Sequence, residues 1–252
     1  MSHWGSLIAS NILIFYITLI IKVKYPIYLN INNKNNVTNF KSPLNIDIIS
    51  IIYGTLLGDG HAEKRSNGKA TRICFYQESS HDDYLLYLHS LIANLGYCNT
   101  TIPKISTRLN KNGKIKKVIR FYTWSYNLFN SIHSKWYIPN PHPIKGKSNF
   151  IKIIPKDIEL YLTPLALAIW IMDNGAKVGK GLKLSTNNFT YDELLLLTNV
   201  LKYKYNLTCS IQSTGTKFQY HIYICVESMP NLVKIVKPYI IPSMKYKFGD
   251  HI

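Results

Sequence analysis

Two apolar segments that end in the same way constrain this chain more than any other feature. Residues 52–60 read IYGTLLGDG and residues 167–175 read LAIWIMDNG, so each apolar run ends at a polar residue followed by glycine. Runs of this kind are typical of buried helices, because glycine readily adopts the backbone conformations that end a helix. The two segments therefore predict two helices that carry polar groups at their C-terminal ends.

The segments after each apolar run follow one another in the same order. In the first half, residues 71–77 alternate like a strand and residues 84–95 have a helical period, and a hairpin and a helix come next. In the second half, residues 180–189 resemble a strand and residues 190–207 a helix, again followed by a hairpin and a helix. The repeated order indicates an α+β unit that is duplicated within one chain.

The excess of basic residues indicates what kind of molecule this protein binds. Lys and Arg number 30 against 13 Asp and Glu, which gives a formal charge of +17. Because the basic residues lie in strand-like stretches, this excess indicates a polyanion such as DNA or RNA, with an acidic membrane as the alternative. The four cysteines are widely spaced and lack zinc-type partners, which argues against a zinc or disulfide framework.

The first 44 residues differ in character from the rest. Residues 6–21 are apolar, at about the lower limit for a membrane span, and residues 30–44 are rich in Asn and read as a linker. The opening MSHWG resembles a stretch of mitochondrial cytochrome b. We interpret residues 1–44 as an exon- or intron-derived segment that is open to processing, with membrane association through residues 6–21 as a weaker alternative. The folded part is expected to begin near residue 45.

The two apolar segments resemble the paired motifs of the LAGLIDADG homing endonucleases and intron maturases. Their spacing and flanks are similar to the two-motif monomeric members, especially the intron-encoded proteins of yeast mitochondria. The resemblance implies a duplicated αββαββα fold with pseudo-twofold symmetry, saddle-shaped antiparallel sheets and subdomains at 45–150 and 151–252. It also implies that the motif helices pack together through small residues, here Gly54 and Ala168, although Ile169 stands where the family has glycine.

The resemblance also implies a catalytic site at the helix ends. The family places metal-binding carboxylates at the penultimate motif positions, which are Asp59 and Asn174 here, and lysines near the cut phosphates, which are Lys152 and Lys247. Mg²⁺ is the expected metal if the protein is catalytic, and a neutral amide is a poorer ligand for it than a carboxylate. Because neighbouring helical residues point about 100° apart, we expect Asp173 to face away from the site.

Strand-like stretches supply the candidate contacts to nucleic acid. A two-stranded ribbon fits the major groove, where Arg, Gln and Asn read base edges and Lys holds phosphate. We expect one face of each sheet to be apolar, with Ile105, Val118 and Phe121 packing under the helices. The candidates for the other face are Arg72, Gln77, Arg108, Lys111, Lys114, Lys116, Arg120, Lys180, Lys183, Asn187, Gln212, Lys217 and Gln219.

Three functions compete. The first is a metal-dependent homing endonuclease that makes double-strand cuts at a long DNA site. The second is an RNA maturase that binds a group I intron and needs no metal-binding carboxylates. The third, a membrane-associated structural protein, explains neither the duplicated motif nor the basic strands. Asn174 favours the maturase over the endonuclease, with DNA cleavage that is weak, reduced to nicking or lost. The family resemblance implies that the protein is monomeric and mitochondrial.

Overall fold

The helices and strands follow one another in the order that the sequence predicts. The computed structural model describes residues 45–64, 69–78, 82–109, 113–143 and 148–252. The elements of the first half are α1 (Ile46–Leu57), β1 (His61–Lys64), β2 (Thr71–Glu78), α2 (Asp82–Asn94), β3 (Ser106–Leu109), β4 (Ile115–Tyr122) and α3 (Phe129–Trp136). A short connection follows, with β5 (Tyr137–Pro139), β6 (Phe150–Lys152) and α4 (Ile158–Tyr161). The second half contains α5 (Pro164–Asn174), β7 (Gly175–Val178), β8 (Gly181–Ser185), α6 (Tyr191–Tyr205), β9 (Cys209–Ser213), β10 (Tyr220–Ile224) and α7 (Met229–Val236), with 3-10 turns at Val226–Ser228, Lys237–Tyr239 and Pro242–His251.

The two predicted motif helices, α1 and α5, lie side by side. Each begins at a capping side chain: the Asn45 Oδ1 atom accepts a hydrogen bond from Asp47 N (3.0 Å), and Thr163 Oγ1 accepts one from Ala166 N (3.2 Å). A Cβ atom added to Gly54 would come within 2.5 Å of the Ala166 carbonyl oxygen. Only glycine therefore allows this approach at position 54, where the sequence predicted a small residue.

Each half contains a four-stranded antiparallel sheet of the same topology. The strand orders are β1-β2-β4-β3 and β7-β8-β10-β9, and these orders correspond strand for strand. The match confirms the duplicated α+β fold. The predicted subdomain boundary at residue 150 lies within the small β5–β6 sheet, where Tyr137 pairs with Lys152, and Pro43–Ile252 forms a single compact unit. The division into two subdomains stays a prediction.

The inner face of each sheet packs against helices and forms the core. In the first sheet Ile119 and Phe121 point inward, and in the second sheet Leu184 and Ile222 do so, all nearly inaccessible to solvent. The expected placement of Val118 was wrong, because Val118 and Phe121 are three residues apart on a strand and so lie on opposite faces. Ile105 is also not part of the core: it is 52% exposed.

Within the residues that the structure describes, no helix is both long and apolar enough to cross a membrane. The apolar stretch at residues 6–21 and the linker at residues 30–44 lie outside the described residues. Membrane association through residues 6–21 therefore stays a prediction.

Candidate functional site

The C-terminal ends of α1 and α5 meet in one cleft. Gly58 lies so close to the end of α5 that an added Cβ would be 2.8 Å from the Asn174 Oδ1 atom. The cleft has a volume of about 180 Å³, and Asp59, Asn174 and Lys152 all line it. The structure thus brings together three of the four residues predicted for catalysis, and their catalytic roles stay predictions.

Asp173 does not face away from the site, contrary to the expectation from ideal helix geometry. Its Oδ2 atom accepts a hydrogen bond from Thr55 Oγ1 on α1 (3.1 Å). The Gln77 side chain donates its Nε2–H groups to Asp173 Oδ1 and to Asp59 Oδ2, each at 3.2 Å. The reason is that α5 ends here, against α1, so that Asp173 points into the contact between the two helices. Gln77 consequently links the two carboxylates.

Burial is the main cause of the shifted pKa values of Asp173, Lys152 and Lys247. Burial, with a smaller contribution from the nearby charge of Asp59, raises the pKa of Asp173 to about 7. Burial lowers the pKa of Lys152 to about 8 and that of Lys247 to about 8, although both aspartates oppose these shifts. Three side chains in the cluster therefore titrate within a unit or so of neutral pH.

The two predicted catalytic lysines occupy equivalent places at the ends of the motif helices. Lys152 donates to the carbonyl oxygen of Leu56 in the last turn of α1 (3.0 Å) and to that of Gly60, three residues after α1 (2.7 Å). Lys247 donates to the last carbonyl oxygens of α5, those of Ile171 (3.2 Å), Met172 and Asp173 (3.3 Å).

A cation at a helix C-terminus is favourable, because the last carbonyl oxygens carry partial negative charge. Lys152 also lines the cleft, whereas Lys247 is only 3% exposed. In this conformation Lys247 supports the end of α5 and does not offer its ammonium group to a bound phosphate.

The Asn174 side chain has an unusual feature. Its Oδ1 atom is buried and accepts no hydrogen bond from any described residue. A buried oxygen without a partner is costly, and a cation or an ordered water would satisfy it. The exposed carboxylate of Asp59 lines the same cleft, and carboxylate and amide oxygens are the type of ligand that a divalent cation such as Mg²⁺ prefers. The described residues contain no cluster of three or more His, Cys, Asp or Glu side chains suited to a metal.

The outer face of the first sheet carries four of the thirteen predicted nucleic-acid contacts, namely Arg72, Arg108, Lys116 and Arg120. A groove of about 600 Å³ runs over this face from Asp59 and includes Arg72, Arg108 and Arg120. Arg72 is held there by an ion pair with Glu63 (2.6 Å) and by stacking over the Tyr122 ring (4.2 Å to the centroid).

Other predicted residues of the first sheet have different positions. Lys116 pairs with Arg108 across β3 and β4 and forms an ion pair with Glu78 on the same outer face. Lys114 is exposed in the turn before β4, and Lys111 lies outside the described residues. Gln77 lies on the inner face and is 8% exposed, so its prediction as a base-reading residue was wrong. Adjacent strand residues point to opposite faces, and Gln77 follows the outward Tyr76.

The outer face of the second sheet is richer in amides than in arginine. Gln212 Oε1 lies 3.1 Å from the His221 Nε2 atom, and Asn187 donates to Gln219 (3.3 Å). Lys183 lies opposite Tyr223 on the same face. Lys180 and Lys217 are exposed in the turns that join the strands. These six predicted residues are thus accessible, and their contacts with nucleic acid stay predictions.

The cleft also contains residues that the sequence did not place there, although Ser185 and Asn188 belong to a strand-like stretch expected to contact nucleic acid. His61 lines both the cleft and the groove, and burial lowers its pKa. Ser185 and Asn188 line the cleft beside Asn174. His61 had a recognisable signal, because it follows the first motif directly, whereas Ser185 and Asn188 reach the cleft only through the pairing of β8.

Comparisons with known proteins agree with this architecture. Residues 49–232 match the model of the LAGLIDADG DNA endonuclease family. Among solved structures, the homing endonuclease I-WcaI bound to its DNA recognition sequence has a TM-score of 0.71 and 27% identity, and the match covers 89% of this chain and 96% of that one.

Two similar relatives carry the name cytochrome b mRNA maturase bI2. The Saccharomyces cerevisiae protein is 51% identical over 100% of this chain and 67% of its own length. The Debaryomyces hansenii protein is 54% identical over 87% of this chain and 80% of its own length. With two matching motif helices, two matching sheets and a family match over most of its length, this chain belongs to the LAGLIDADG family.

Proposed function

We propose that this protein is an intron-encoded RNA maturase, which binds a group I intron as a monomer in the mitochondrion and assists its splicing. The observation that carries the proposal is the unequal pair of motif ends. Asp59 is exposed in the cleft, whereas the equivalent position of α5 holds Asn174. A site with one free carboxylate is poorly suited to cutting two DNA strands, but it leaves binding intact.

Asp173 does not replace the missing carboxylate. Its two oxygens already accept hydrogen bonds from Thr55 and Gln77, and its pKa of about 7 keeps part of the population protonated at neutral pH. Cutting a phosphodiester requires charge to be neutralised in the transition state, and a protonated carboxyl offers no net charge for holding a cation. Cleavage of both strands is therefore impaired.

The basic outer faces of the sheets support the binding function. The groove on the first sheet presents Arg72, Arg108 and Arg120, and the chain carries a charge of +17. Surfaces of this kind bind phosphate backbones largely through electrostatic attraction. The two relatives named as cytochrome b mRNA maturases support RNA as the partner, a cytochrome b transcript as its source and a mitochondrial location.

The second candidate is an active, metal-dependent homing endonuclease, and the buried Asn174 Oδ1 atom favours it. Together with the Asp59 carboxylate, this oxygen would hold one Mg²⁺, which would lower the pKa of an attacking water and neutralise phosphate charge. The ammonium group of Lys152 lines the same cleft and would attract the phosphate. The likeness to a DNA-bound homing endonuclease is consistent with this alternative.

One variant separates the two functions. Asp59→Asn removes the free carboxylate but preserves side-chain size and the hydrogen bond from Gln77. We expect Asp59→Asn to splice the host intron at about the wild-type rate, measured in vitro with a purified transcript. The matched control is Asp192→Asn, on the exposed start of α6.

The companion assay measures cleavage of the intronless DNA allele with Mg²⁺ and with Mn²⁺. We expect the wild-type protein to give no efficient double-strand cuts. Efficient cuts by the wild-type protein, abolished in Asp59→Asn, together with no acceleration of splicing, would establish the endonuclease instead.

A further inference from the structure

A second cavity lies beside the first sheet, apart from the cleft at the motif ends. It has a volume of about 410 Å³ and is bounded by the end of β4, the residues that follow it, and the segment 98–103. We call it the side cavity, and its walls include Asn99, Arg120 and Trp124. None of the roles described above uses Asn99 or Trp124.

The side cavity lies beside a part of β4 that pairs with no strand on this edge among the described residues. The pairing of β3 with β4 ends at Ser106 and Val118. The next bridge along this edge joins Cys98 to Thr123, the residue that follows β4. On the opposite edge, the Thr123 backbone N–H donates to the carbonyl oxygen of Ile73 in β2 (3.0 Å). The backbone N–H and C=O groups of successive residues in an antiparallel strand point to alternate edges. Since Thr123 points toward β2, Arg120, three residues earlier, points its N–H and C=O toward the opposite edge, where the cavity lies. The cavity therefore offers a donor and an acceptor side by side.

Side chains add further polar groups to this wall. The Asn99 Oδ1 atom accepts hydrogen bonds from Thr101 N (2.9 Å) and Thr101 Oγ1 (3.0 Å). Its NH₂ group donates to no other described residue, so it remains available to a ligand. Arg120 is exposed and forms no ion pair within the described part of the chain.

Trp124 gives the cavity an aromatic surface. Its side chain is 51% exposed, which is high for a large apolar residue. Its backbone N–H donates to the Tyr97 carbonyl oxygen (2.8 Å), so the position of the residue is fixed although its ring is accessible. Exposed aromatic rings on a fixed backbone are the usual platforms on which single-stranded bases stack.

The side cavity adjoins the groove on the first sheet. Arg72, Arg120 and Tyr122 line both of them. A nucleic acid that lies in the groove would therefore pass the mouth of the cavity with its phosphates near two arginines. This position favours part of a nucleic-acid strand as the ligand over a free small molecule.

We propose that the side cavity binds one unpaired nucleobase of the RNA, stacked on Trp124 and hydrogen-bonded by the backbone of Arg120 and the amide of Asn99. A base is flat and carries donors and acceptors along one edge, which matches an aromatic ring beside a strand edge. RNA recognition depends on bases that are free of a duplex, because only these can leave the stack. This inference rests on the proposed function and adds that the protein prefers unpaired regions of its RNA.

The test uses the full-length chain with Trp124→Ala and Trp124→Phe. The probes are a hairpin RNA with 2-aminopurine in its unpaired loop, the same sequence closed into a duplex, and a DNA duplex. We expect Trp124→Ala to weaken binding of the loop RNA by about 5- to 100-fold and to remove the fluorescence change of the loop base. Both duplexes should bind within about twofold of wild type, and Trp124→Phe should retain most of the affinity.

The matched control is Tyr203→Ala, which removes an 85% exposed ring on α6, far from the side cavity in the sequence and absent from its walls. Thermal melting of each variant verifies that the fold is retained. An unchanged affinity for the loop RNA in Trp124→Ala, or an equal loss for all three probes, would overturn the inference. Splicing by the wild-type protein is scored separately: its absence counts against the maturase, whereas normal splicing with an unaffected Trp124→Ala counts only against the base-binding cavity.

Discussion

The two motif ends are equivalent in position but not in chemistry. After α1, Asp59 is exposed, and one of its carboxylate oxygens accepts no hydrogen bond from the residues that the structure describes. At the end of α5, Asn174 buries an oxygen that has no partner among the described residues, and Asp173 is held between the helices by Thr55 and Gln77. The supporting lysines are alike, because Lys152 donates to the Leu56 carbonyl oxygen in the last turn of α1 and Lys247 donates to the last carbonyl oxygens of α5.

This difference shows that the fold does not require the catalytic chemistry. The helix ends are held by Lys152 and Lys247, by glycines that allow close packing and by the Asp173 carboxyl. None of these contacts depends on a carboxylate at residue 174. The position that differs, residue 174, contributes no hydrogen bond through its side-chain oxygen within the described residues. Selection for a binding function would therefore permit its replacement without loss of structure.

The largest effect is expected where the two halves touch. Gly54→Val would place side-chain atoms against the Ala166 carbonyl oxygen and the Ile169 side chain. Since both groups belong to a buried helix, the variant should lose about 3 kcal/mol or more of unfolding free energy, measured by urea denaturation. Leu195→Ala, at a 41% exposed position, is the control and should change stability by less than about 1 kcal/mol. A Gly54→Val protein of normal stability would contradict the close packing of α1 and α5.

Asn174→Asp would make the two motif ends alike. A second carboxylate should improve cation binding in the cleft, so nicking or double-strand cutting of the intronless allele should rise by about 10- to 100-fold. Asn188→Asp, which also adds a carboxylate to the cleft wall but away from the helix end, is the control and should give a smaller gain. No increase for Asn174→Asp would show that other parts of the site have also lost their function.

The ionisation of Asp173 should make stability depend on pH. Its pKa is about 7 in the folded protein and near 4 in an unfolded chain, so between these values the folded state holds a proton that the unfolded state has lost. The contribution of Asp173 to the free energy of unfolding is thus fully present below about pH 4 and is lost as the pH rises through 7.

Asp173→Asn should remove this slope, so that the variant gains stability relative to wild type between pH 5 and about 7.5 in urea titrations. Lys152 and Lys247 titrate near pH 8 in the folded protein, so most of their effect on the pH dependence of stability lies above this pH range. Parallel stability profiles for the two proteins would be inconsistent with the raised pKa.

The smallest effect concerns two neighbouring lysines on β4. Lys116 is on the outer face opposite Arg108, whereas Lys117 is on the other face opposite Thr107. Lys116→Ala should lower the slope of log affinity against log salt by up to about one unit, and Lys117→Ala should leave it unchanged. Equal slopes for both variants, measured by RNA binding at several salt concentrations, would remove Lys116 from the interface.

Much of the architecture was accessible from the sequence because it depends on local patterns. Apolar runs ending at Gly60 and Gly175 predicted the motif helices, and the repeated element order predicted the two sheets. The errors came from geometry that a linear pattern does not carry. Val118 was assigned to the wrong face, and Ile105 was expected in the core although it is 52% exposed and directly precedes β3, whose four residues are all exposed.

The sequence alone determined the family fold, the basic character of the strands and the substitution of an amide for a carboxylate at residue 174, since these follow from residue types and their spacing. Only the tertiary structure decided what surrounds that position: that Gln77 faces inward between Asp59 and Asp173, and that Lys247 is enclosed at the end of α5. The physical reason is that side-chain partners at a helix end come from distant strands and from the opposite helix. Such contacts depend on packing in three dimensions, which periodicity along the chain does not specify.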